Sequence, residues 1–95
     1  MDRLSLSHEL LTLGETFAIE ATMWRDDDCK AQLLRMARQF AEIGRQVIGT
    51  SDITVADAYA REGRRVLGNV QATRRLFKSL NTPPECGEAV THARP

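Results

Sequence analysis

Hydrophobic residues recur at spacings of three and four along three separate segments of this 95-residue chain. Nowhere do they alternate as they would along a half-buried strand. Leu6, Leu10, Leu13, Phe17, Ala21 and Trp24 mark a first helix over about 4–24, with Ser5 or Ser7 placed to cap its start. Asp26-Asp27-Asp28 opens a second, over about 27–48, where carboxylates suit the positive helix end. Its apolar face is Leu33, Met36, Phe40, Ile43 and Val47, with Leu34, Ala37 and Ile48 beside it, and Gly49 is its stop. "TSDITVAD" starts a third helix over about 54–80, with Ser51 or Thr54 as cap. There Ala56, Tyr59, Gly63, Val66, Val70, Thr73, Phe77 and Leu80 form a heptad stripe. Pro83-Pro84 ends it.

Short connections make neighbouring helices antiparallel. The expected architecture is all-α: one domain over residues 1–80, an up-down-up three-helix bundle, followed by a C-terminal tail over 81–95. The third helix, at roughly 40 Å against roughly 30 Å for the first, overhangs its neighbour. The first helix carries a second apolar line through Leu4, Leu11 and Ala18, and a helix apolar on two sides needs two neighbours. Gly44, Ala60, Gly63 and Gly68 allow close approach. These features predict a homodimer, with an interface through Leu4, Leu11, Tyr59, Gly63, Val70 and Phe77.

Lys+Arg and Asp+Glu are equal, so the chain as a whole is not a nucleic-acid or membrane-surface binder. No apolar run approaches the roughly 20 residues needed to span a bilayer. The start, with Asp2, lacks a secretory pattern, and two distant cysteines, Cys29 and Cys86, make no disulfide framework. A reducing cytoplasm is the expected compartment. The charge is nevertheless uneven. Residues 1–28 hold seven acidic residues against two basic, a net of −5; residues 61–78 hold six basic against one acidic, a net of +5. Arg61, Arg64, Arg65 and Arg75 project opposite the third apolar stripe, with Lys78 at the edge. That strip suits an acidic partner, although Asp57 can also pair with Arg61 one turn on.

Ser7-His8-Glu9-Leu10-Leu11-Thr12 resembles the phosphoacceptor box of sensor histidine kinases, which reads Ser-His-Glu-Leu-Arg-Thr-Pro-Leu. The resemblance implies a dimeric helical phosphotransfer domain. His8 would carry the phosphoryl group, Glu9 would serve as base, and Thr12 would position water for dephosphorylation. Leu11 and Leu13 stand where that family has arginine and proline, and no nucleotide-binding box is present.

His8, Cys29, Cys86 and His92 lack metal-ligand spacing, so neither metal nor cofactor is expected. No nucleophile–base set can be assembled. The sequence thus predicts a non-enzymatic helical interaction or adaptor protein, a homodimer with a basic third-helix face for an acidic partner. The alternatives are a histidine phosphotransfer module using His8 and a small nucleic-acid-associated protein.

Overall fold

The computed structural model describes residues 2–79. It contains α1 (Arg3–Ala21), α2 (Asp27–Gln46) running into a 3₁₀ turn (Val47–Gly49), and α3 (Thr54–Ser79). There is no strand among the described residues. Leu80 and the tail at 81–95 lie outside them, as do Cys86 and His92.

A carboxylate, rather than the expected hydroxyl, caps α1, and another meets the first residue of α3. The Asp2 side chain accepts from the Ser5 N–H at 2.7 Å, and Asp52 accepts from the Thr54 N–H at 2.9 Å. Each bond holds its carboxyl below the ordinary value of 3.8. The charged form is the one that caps, so this support is complete at neutral pH. It is lost as the pH falls below the usual carboxylate range. Asp26 caps α2, as its position predicts, accepting from the Asp28 N–H.

α1 ends at Ala21, three residues before the expected Trp24. The Thr22 and Met23 N–H groups bond back to Ile19 and Glu20 at 3.1 and 2.9 Å, a tightened turn that closes the helix. Thr22 Oγ1 donates to the Ile19 carbonyl at 2.6 Å. Trp24 thereby folds back, fully buried.

α1 and α2 meet backbone to backbone. A methyl group added at Gly14 would lie 2.8 Å from the Ala37 carbonyl oxygen and 3.3 Å from the Ala41 nitrogen. Ser7, expected as a cap, is instead buried in this seam, and its hydroxyl donates to the Gly44 carbonyl at 2.7 Å. These contacts make α1 and α2 antiparallel. Deeper in the core, the Phe17 and Phe40 rings stack with centroids 5.3 Å apart. Gly63 of α3 receives the edge of the Phe40 ring, 2.6 Å from where its Cβ would be.

α3 runs parallel to α1. Arg64 pairs with Glu9 and Arg74 with Glu20, while Arg3 donates to the Ser51 carbonyl at 3.0 Å. The order is therefore up, down, up. The heptad stripe of α3 divides in two. Ala56, Gly63, Val70 and Phe77 are buried, whereas Tyr59, Val66 and Thr73 are only partly covered or exposed. No described helix is long and apolar enough to cross a membrane.

Gly14 and Gly68 test the seam against intrinsic propensity. Nothing lies within 4 Å of a Cβ at Gly68. Gly68→Ala should raise stability by about 0.5–1 kcal/mol in urea unfolding. Gly14→Ala should instead lower it by about 1–3 kcal/mol, because backbone atoms of α2 must give way.

Candidate functional site

The charges on α3 are largely satisfied from within the chain. Arg61 pairs with Asp57 at 3.3 Å, Arg65 with Glu62, and Arg64 reaches across to Glu9. Arg75 donates to the Gln71 carbonyl at 3.3 Å, and Lys78 is exposed. Arg64, expected on the outward strip, therefore turns to α1. Exposed side-chain pairs of this sort contribute little to stability, but they balance the positive charge of the strip.

Among the described residues, one carboxylate is buried. Glu20 has 2% of its surface exposed. It accepts from the Trp24 indole N–H at 2.9 Å and from Arg74 at 2.5 and 3.3 Å. The chain reversal after Ala21 positions the indole, and α3 brings the guanidinium across. Sequence reasoning missed both Glu20 and Arg74. The available signal was Glu20 standing one turn before Trp24, at the edge of the apolar face of α1.

The three residues of the kinase-like box diverge. His8 and Thr12, one turn apart, are exposed on the outer face of α1. Glu9 is half-buried, turned to α3 and held by Arg64. Leu11 leans on Gly44. The six residues expected at a dimer interface are also separated. Leu4 and Tyr59 are exposed, whereas Gly63, Val70 and Phe77 are buried within the chain.

An open groove lies between α2 and α3. Met36, Phe40, Ile43, Tyr59 and Val66 line it with Glu62, which Arg65 holds, and Val47, Val55 and Ala56 extend it past Asp52 toward the start of α3. Arg35, Arg38, Glu42 and Arg45 border the α2 side beside Tyr59. Arg45 and Gln46 hold Glu42, at 2.6 and 2.9 Å. Arg35 and Arg38 are exposed and make no hydrogen bond or ion pair among the described residues. Among the described residues on the α2 border of the groove, these two cations have no ion pair. No cluster of His, Cys, Asp or Glu that could hold a metal ion occurs among the described residues. Cys29 is buried.

Comparison with protein-family models, with curated proteins and with solved structures finds no match to this chain.

Arg74→Met would leave the Glu20 carboxylate buried without its cation. That change should cost about 3–5 kcal/mol in chemical denaturation, as for other broken buried pairs. Arg75→Met, next in sequence but exposed, should stay within about 0.5 kcal/mol.

Proposed function

We propose that this chain is a non-enzymatic helical interaction protein, acting as a homodimer, whose α2/α3 groove receives an acidic amphipathic helix from a partner. The observation that carries this reading is the divided heptad stripe of α3. Tyr59 and Val66 face an open groove floored by Phe40 and Ile43, although their spacing is that of a helix-packing seam. From Met36 to Val47 the groove is about 16 Å long, enough for about three turns of a docked helix. Arg35 on its border favours carboxylates flanking the apolar face of that helix.

The probe is a designed peptide of about 15 residues, with leucines at heptad a and d positions and glutamates beside them. Calorimetric titration should show binding that weakens with added salt. It should weaken by about tenfold more in Arg35→Glu, a charge reversal at the rim. Equal binding by the same peptide with lysines for glutamates would overturn the assignment.

Exposure of His8 and Thr12 on one face of α1 favours phosphotransfer as a second reading. That reading expects an acid-labile phosphoryl group on the chain when a phosphodonor kinase is supplied, absent in His8→Ala. The interaction reading expects no such group. It also expects His8→Ala to keep its fold and stability within about 0.5 kcal/mol.

A further inference from the structure

The side of the α1–α2 pair away from α3 carries two apolar heptad lines. One is Leu4, Leu11 and Ala18 on α1; the other is Leu34 and Ala41 on α2 with Ile48 in the turn beyond it. Leu11, Ala18, Leu34 and Ala41 border one shallow cleft together with Glu15 and Arg38. The antiparallel register set by Ser7 and Gly44 puts Leu4 level with Ile48, Leu11 with Ala41, and Ala18 with Leu34. Leu4 is 71% exposed, Ile48 55% and Leu34 42%, so this face presents apolar side chains that no other described residue covers.

We infer that this face pairs with the same face of a second copy, about a two-fold axis parallel to the helices, to form a four-helix bundle with each α3 outside. Two complementarities single out a second copy. Such an axis lays α1 of each copy over α2 of the other, with levels preserved. Leu11 then meets the partner subunit's Ala41, and Leu34 meets the partner subunit's Ala18, a large residue against a small one each time. Glu15 and Arg38 are exposed and make no ion pair among the described residues. They lie at one level of the same face, so each Glu15 is set beside the partner's Arg38. Isologous interfaces are self-complementary in this way. All neighbouring helices in the bundle run antiparallel, as in other four-helix bundles.

The inference rests on the homodimer reading and supplies its surface, which is not the one the α3 stripe suggests. Sedimentation at tens of micromolar should show a dimer of the 10.6 kDa chain. Leu34→Glu should give a monomer that keeps its helical circular dichroism, since the side chain is exposed. Glu15→Arg and Arg38→Glu should each raise the dissociation constant by about tenfold. The double reversal should restore it to within about threefold of the wild type, the mark of a direct pair. A monomeric wild type would overturn the inference. So would a dimer that survives Leu34→Glu but is lost in Tyr59→Glu, which would place the second copy in the α2/α3 groove. Titrating Leu4→Glu, which disrupts the same face from α1 and adds no charge beside Arg35, with the acidic peptide tests the groove separately, so either reading can fail while the other stands.

Discussion

The contact at Gly14 sets the geometry from which the rest follows. Without a side chain there, α1 and α2 approach until backbone meets backbone, and Ser7 can reach a main-chain carbonyl of α2. A serine hydroxyl buried against a helix carbonyl is satisfied only at that separation. The same approach aligns Phe17 with Phe40 and leaves the Phe40 edge projecting toward α3. Gly63 then becomes necessary where that ring arrives. One glycine thus accounts for a second on a different helix, about fifty residues away in sequence.

α3 is held by different means. Its apolar contact is one-sided, and its placement along α1 is marked at two levels by Glu9–Arg64 and Glu20–Arg74. In the second pair the Glu20 carboxylate is taken out of water while Arg74 stays partly exposed, and the desolvation of the carboxylate offsets much of the attraction. Its value lies in selectivity. A slip of α3 by one turn would leave a buried carboxylate without its cation, whereas a slip of leucines past leucines costs much less. Hydrophobic contacts therefore hold α3 down, and the buried charge decides where along α1 it sits.

The helices and their inward faces were legible because periodicity reports burial directly. All six residues of the first stripe, from Leu6 to Trp24, are buried, and Asp26 caps α2 as its position implies. Periodicity does not say what covers a face. Tyr59 and Val66 share the spacing of Gly63 and Val70, yet only the latter pair lies under other side chains. Glu20 and Arg74 escaped notice because a single charged residue reads as solvent-facing until its partner is known, and that partner is 54 positions away. The basic strip was drawn from α3 alone. Its compensation by Glu9 is a tertiary fact that no window along the chain contains. Nothing along the chain distinguishes Arg35 and Arg38, because their exposure beside the groove depends on α3 covering α2 only in part.

Trp24 is the single tryptophan of the chain, and its indole N–H is bonded to the carboxylate that also holds Arg74. Its ultraviolet emission therefore comes from one place, the junction between the end of α1 and the far half of α3. If that half lifts away while the α1–α2 pair stays closed, water reaches the indole and the emission moves to the red before helix content falls. Fluorescence and far-ultraviolet dichroism would then follow different events. The offset between their transitions measures how far α3 behaves as a separate cooperative unit, hinged on a clasped pair of helices.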